Sequence, residues 1–141
     1  MSARAPAADA SAASGTRVLD ASAVLAWLRE EPGADIVAER LAGSFVSAVN
    51  LSEVLQKSLA SGADADGLAD DLLAVGLLVA DFGVEQASVA AGLWGSTRHL
   101  GLGVADRACL ATAVVLGVPA LTADRPWAGI KREGLSVELI R

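Results

Sequence analysis

Histidine and cysteine each occur once in the 141 residues, as His99 and Cys109. A single cysteine excludes an internal disulfide and a cysteine-built metal centre. A single histidine excludes paired-imidazole acid–base chemistry within one chain. Tyrosine is absent and aromatics make up only 4% of the chain, so the core must come from Leu, Val and Ala. No apolar run approaches the roughly 18 residues of a membrane span. No charged segment followed by an apolar one marks a signal peptide. These absences lead to the expectation of a cytoplasmic protein without membrane contact. Positive charge is scarce as well: 11 Lys and Arg face 17 Asp and Glu, a net charge of −6. That balance argues against a nucleic-acid binder, which ordinarily carries a basic surface. The Gly-x-Ser-x-Gly elbow, the Walker loop and the Gly-x-Gly-x-x-Gly fingerprint are also missing, which removes three common catalytic frameworks.

What is present describes a folded chain. It is 53% hydrophobic and 20% charged, and its length suits one domain. Residues 1–16 are mostly Ala and Ser without periodicity, and are expected to be a disordered tail. The domain then spans residues 17–141. Strands are expected at 17–19, 45–48, 77–80, 119–122 and 135–140. Helices are expected at 22–29, 34–41, 50–59, about 66–74, 84–98 and 103–116. Asp20 or Ser22 can cap the first of these, and Asp64 or Asp66 the fourth. Asn50 and Glu53 have the spacing of a capping box. Val84, Ala87, Ala91 and Trp94 form one helical stripe, which places Trp94 in the core. Strands alternating with helices predict an α/β fold, a mostly parallel sheet with helices on both faces.

The acids carry the chemistry. Asp106 lies near the start of Gly103–Ala113, a run of small and apolar residues, and shares a helical face with Leu110 and Ala113. A carboxylate entering a core is costly unless something pairs with it. The alternative is a first-turn acid that suits the helix dipole. Three other acids repeat the placement. Asp20 follows the expected strand at 17–19 and Asp124 the one at 119–122, and Glu53 lies one helical turn beyond a third. In a parallel sheet, sites form outside the carboxyl ends of the strands, so these acids are expected at one edge. Carboxylates that close need a counter-charge. Hard divalent cations such as Mg²⁺ or Mn²⁺ take oxygen ligands and suit such a set. Each acid alone could be a cap; the repetition favours a site. Cys109 on an Ala-rich helix reads as a small core residue, and His99 as a loop residue.

Val18–Ala23, Asn50–Val54, Gly103–Ala113 and Leu121–Trp127 together resemble the successive motifs of PIN-domain ribonucleases, above all VapC-type toxins of toxin–antitoxin pairs. The resemblance covers residues 17–141 and rests on four short motifs in the right order. It implies a three-layer α/β/α PIN-like fold. It implies an Mg²⁺- or Mn²⁺-dependent endoribonuclease with Asp20, Glu53, Asp106 and Asp124 as the acidic set, Asp20 and Asp106 holding the metal. Ser22 and Thr122 match polar positions that support those acids. Arg107 and Arg125, with Lys131 and Arg132, stand beside the motifs and could meet RNA phosphates, which would answer the objection from net charge. A cognate antitoxin and a homodimer are implied as partners, with Leu55, Leu59, Leu68 and Leu72 as candidate interface residues. The competing readings are a PIN-like nuclease acting on DNA or in RNA processing without an antitoxin, and a non-catalytic regulatory domain with an acidic pocket. The last would want a Lys after a late strand, and Lys131 does not follow one.

Overall fold

The computed structural model describes residues 15–141; most of the expected tail, residues 1–14, lies outside the described residues. The chain runs β1 (Val18–Leu19), α1 (Ala21–Leu28), α2 (Ala34–Arg40), β2 (Phe45–Ser47), α3 (Ala48–Ala60), α4 (Leu68–Ala74), β3 (Leu78–Ala80), α5 (Val84–Gly92), α6 (Trp94–Thr97), α7 (Val104–Leu116), β4 (Ala120–Thr122) and β5 (Val137–Leu139). Short 3₁₀ turns cover Arg98–Leu100 and Arg125–Gly129. The sheet order is β3-β2-β1-β4-β5, and every neighbouring pair is parallel. From β1 the chain winds to one side through β2 and β3, then crosses back to β4 and β5. The winding reverses between β1 and β4, and a crevice at their carboxyl ends follows from that reversal.

The strands are short, but their alternation assigns the two faces of the sheet. Val18 pairs in register with Phe45 and Ala120, and Leu19 with Val46 and Leu121. Side chains along a strand point alternately up and down. Val18, Phe45 and Ala120 therefore enter one apolar cluster with Ala90, Leu93, Cys109, Leu110 and Ala113 of the α5–α7 side. Leu19, Val46 and Leu121 enter the other with Val24, Val37, Val54 and Leu72 of α1–α4. Both faces are covered, which makes three layers, α/β/α. The small residues of α7 from Ala108 to Ala113 are all buried and let that helix approach the sheet closely. Gly117 ends α7 in the left-handed conformation, its N–H bonded to the Ala113 carbonyl.

Gly33, between α1 and α2, is left-handed too, with φ +96°, and has no room for a side chain. A Cβ there would sit 2.7 Å from the Ile140 carbonyl oxygen. The glycine thus lets the chain end after β5 lie against the α1–α2 turn, beside the carboxyl edge.

Three local expectations are corrected. α3 starts at Ala48 with Ser47 as its cap, the Ser47 hydroxyl accepting from Val49 N at 3.2 Å. Asn50 and Glu53 therefore lie inside the helix and form no capping box. Ser47 is itself a good N-cap residue three positions earlier, and it won. α4 is preceded by left-handed Gly67, not capped by Asp64 or Asp66; Asp64 instead accepts from Asp66 N. The long helix expected over 84–98 breaks after Gly92 into α5, α6 and a 3₁₀ turn. Its stripe is also rotated. Val84 is 85% exposed and Trp94 54% exposed, while Ala90, Leu93 and Thr97 are buried. The segment is apolar on two sides, so its periodicity revealed the helix but not which side meets α7. Arg98 stacks over the exposed Trp94 ring, 4.8 Å from its centroid. Of the leucines proposed for an interface, Leu72 is core, Leu55 and Leu68 are half-buried, and Leu59 is exposed.

Candidate active site

Asp20 is the first residue past β1, and it is 4% exposed. Its backbone is extended and its side chain caps α1, one carboxylate oxygen accepting from Ala23 N at 2.9 Å. Ser22 Oγ donates to that same oxygen at 2.7 Å, and Thr122 Oγ1 donates to the other at 2.6 Å. The two hydroxyls are oriented in turn by the backbone past β4. Ala123 N donates to Ser22 Oγ at 2.9 Å and Asp124 N to Thr122 Oγ1 at 3.0 Å. Adjacent strand ends are thereby tied through one carboxylate. Each hydroxyl accepts from an amide and gives its proton to Asp20, so the network has a single direction.

The other acids come from different elements. Asp106 lies in the first turn of α7, and its Oδ2 accepts from Gly103 N at 3.0 Å. The alternative offered by the sequence, an acid serving its own helix start, is therefore true locally. It does not exhaust the residue, because Asp106 is half-buried and faces the same cleft as Asp20. Glu53 projects from α3, where Lys57 Nζ lies 3.2 Å from its Oε2. Asp124 opens the turn that carries Trp127, and Trp127 N donates to the Asp124 carbonyl at 3.1 Å. Trp127 is fully buried and anchors that turn to the core. Together Asp20, Glu53, Asp106 and Asp124, with Ala21, Ser22, Ala123, Lys57 and Arg141, line a cleft of about 320 Å³ at the carboxyl edge.

Burial and crowding raise the affinity of the Asp20 and Asp106 carboxyls for protons. Burial pushes the Asp20 carboxyl up from 3.8 to about 6; the bonds from Thr122, Ser22 and Ala23 oppose this, and the charge of Asp106 adds to it. Asp106 is also raised, first by burial and then by Glu53 and Asp124, with the Gly103 amide and Lys57 opposing. Burial, then the charges of Asp20, Asp106 and Glu53, push the Cys109 thiol well above its ordinary range, as expected of an inert core residue. Among the described residues no group of three or more Asp, Glu, His or Cys is drawn together as a ready-made metal centre. The donors lining the cleft are nevertheless charged oxygens. Mg²⁺ commonly uses one or two carboxylates and keeps several waters, so acids sharing a cleft without meeting at one point suit it.

Ser22 stands at the wall of the cleft and Thr122 behind it, both on Asp20. Arg107 and Arg125 are not among the lining residues. Arg107 Nη1 donates to the Leu102 carbonyl and Arg125 Nη1 to the Arg141 carbonyl, both at 2.8 Å. Lys131 and Arg132 are exposed on the segment before β5. Two basic residues that do line the cleft, Lys57 and Arg141, were missed; the Arg141 guanidinium itself donates to the Pro32 carbonyl at 2.8 Å and lies 3.6 Å from Glu31 Oε1. Lys57 sits four residues after Glu53 on a helix, a spacing that could have revealed it. Arg141 is 17 positions beyond Asp124, and no spacing rule places it there.

A doubly covered parallel sheet with its polar cleft at the strand-order reversal defines a class: an α/β/α domain whose polar cleft lies at the carboxyl edge. Within that class the chain belongs to the PIN domain family, whose profile matches residues 17–133, a family of nucleases. No curated protein matches the sequence. The fold is similar to that of a toxin–antitoxin complex from Klebsiella pneumoniae, with a TM-score of 0.66 and 16% identity over 84% of this chain and 94% of that one. It is similar to DNA-bound VapBC from Salmonella typhimurium, with a TM-score of 0.67 and 15% identity over 89% and 98%. VapBC-1 from nontypeable Haemophilus influenzae gives 0.65 and 16% over the same shares.

Proposed function

We propose that the chain is a divalent-metal-dependent endoribonuclease acting as the toxin of a toxin–antitoxin pair. The observation that carries this reading is the convergence of Asp20, Glu53, Asp106 and Asp124 on one cleft in a PIN-domain chain. Asp20 and Asp106 would hold Mg²⁺ or Mn²⁺, and Glu53 and Asp124 would act through water. When bound, the cation supplies positive charge against the phosphodiester and lowers the pKa of water at neutral pH. The chain does the rest. Ser22, Thr122 and the Ala23 amide fix the Asp20 carboxylate so that its orientation is set before RNA arrives. Glu53 and Asp124 would accept a proton from an attacking water. Lys57, beside Glu53, offers local positive charge to a phosphate in an otherwise acidic cleft, where local field counts for more than net charge. Arg107 and Arg125 stay as candidates for flanking phosphates.

The antitoxin partner is supported by the likeness in fold to chains from toxin–antitoxin complexes. A homodimer has exposed apolar side chains to draw on, Leu59, Val84, Trp94 and Val104 among them. Light scattering on the isolated chain is expected to give twice the chain mass; a strict monomer at high concentration would refute the dimer. The activity test presents labelled RNA and DNA together to the purified chain with Mg²⁺. RNA cleavage that disappears on chelation is expected. Cleavage of DNA alone would turn the reading to a DNA-directed nuclease, and cleavage of neither to a regulatory domain.

A further inference from the structure

Asn50 is the third residue of α3, too far inside the helix to cap it, and its side chain is fully buried. Nδ2 donates across to the Ala105 carbonyl of α7 at 3.0 Å and lies 3.4 Å from Glu53 Oε1. Its Oδ1 has no partner among the described residues. A buried amide with an unmet acceptor weakens folding, and a leucine would fill much the same space without that penalty. Nor do its acceptors need it. The Ala105 carbonyl already receives the helical bond from four residues on, and Glu53 has Lys57 beside it. The amide therefore contributes position rather than satisfaction. It ties the turn bearing Glu53 to the residue that immediately precedes Asp106, across 55 positions of sequence.

We propose that Asn50 is a positioning residue that sets the spacing of Glu53 and Asp106 across the cleft. The inference rests on the metal-dependent nuclease reading above. Val54 and Ala108 still bury apolar surface on these helices without the tie, so its loss would loosen the spacing and not the fold.

The test is Asn50→Leu in the full chain, with three measurements: metal-free melting temperature, Mn²⁺ affinity by calorimetry, and cleavage of RNA at saturating Mn²⁺. Melting is expected at or above the parent's temperature. Mn²⁺ affinity is expected to weaken about 10- to 100-fold, as when a residue supporting a metal ligand is removed. The cleavage kcat should fall while KM for RNA stays level. Should leucine not be accommodated, Asn50→Ala, measured well below its melting temperature, gives the same comparison without risk of a clash. A folded variant with the parent's Mn²⁺ affinity and kcat would overturn the positioning role while leaving the nuclease reading intact. A parent that neither binds Mn²⁺ nor cuts RNA would sink the nuclease reading itself, and this inference with it.

Discussion

The two ends of the sheet carry depressions of nearly the same size and opposite chemistry. At the carboxyl edge the cleft of about 320 Å³ gathers Asp20, Glu53, Asp106 and Asp124 with Lys57 and Arg141. At the amino edge a hollow of about 330 Å³ is lined by Gly117, Val118, Pro119, Gly134, Leu135 and Ser136, none of them titratable. Volume does not distinguish the two ends; the direction of the backbone does. Strands end and α1 begins at the carboxyl edge, so capping positions and a first-turn acid accumulate there. At the amino edge α7 ends and strands begin, and the residues are those of turns. A carboxylate that caps a helix at the first edge is already placed to serve a second purpose.

The comparison breaks most decisively at Asp106. Asp106→Asn is nearly isosteric and removes one ligand charge, so Mg²⁺-dependent RNA cleavage is expected to fall at least about 100-fold in a folded protein. A folded variant with most of the parent's activity would remove Asp106 from the site.

Metal should sharpen the contrast next. A cation that binds the folded cleft and not the unfolded chain stabilises the fold by about 2.7 kcal/mol at a hundredfold excess over Kd. In melting temperature that is on the order of 5–10 °C for a domain of this size. Asp106→Asn should melt at or above the metal-free parent and respond less to Mn²⁺. Equal shifts from Mn²⁺ and from Na⁺ at matched ionic strength would show screening and no specific site.

Acidity gives a third test, with its sign set by burial. Asp20 holds its proton more tightly folded, at about 6, than at its ordinary 3.8, so protonation favours the folded state. The associated stability is fully present below about pH 4 and is lost as pH rises through about 6. The loss is on the order of 3 kcal/mol, and the upward shift of Asp106 acts in the same direction. Metal-free denaturant melts from pH 4 to 7 should therefore show a falling contribution from these acids. Asp20→Asn should flatten that slope; an unchanged slope in the folded variant would contradict the assignment.

The smallest effects belong to single hydroxyls. Thr122→Val removes the shortest bond to Asp20 while keeping the shape, and should cost about 1–3 kcal/mol by leaving a buried carboxylate less satisfied. Ser136→Ala at the other edge should stay within about 0.5 kcal/mol and leave cleavage unchanged. Equal effects at the two positions would erase the distinction between the edges.

Strand–helix alternation, the acids at strand ends and the small-residue character of α7 were legible in residue order, because period and cap chemistry are local. Thr122 beside Asp20 was legible only through resemblance, since their contact spans 102 positions. Three features depended on tertiary structure. Which stripe of α5 meets α7 was settled by packing, because Ala and Val occupy both sides and the hydrophobic period carries no phase. The caps of α3 and α4 came from Ser47 and Gly67, where the neighbouring strand and turn fixed the backbone entry. The basic residues lining the cleft, Lys57 and Arg141, and the Asn50 link to Ala105 were decided by the strand order, which brings together residues that no local rule relates. Chain order sets what each turn can be; only the closing of the sheet sets which turns face one another.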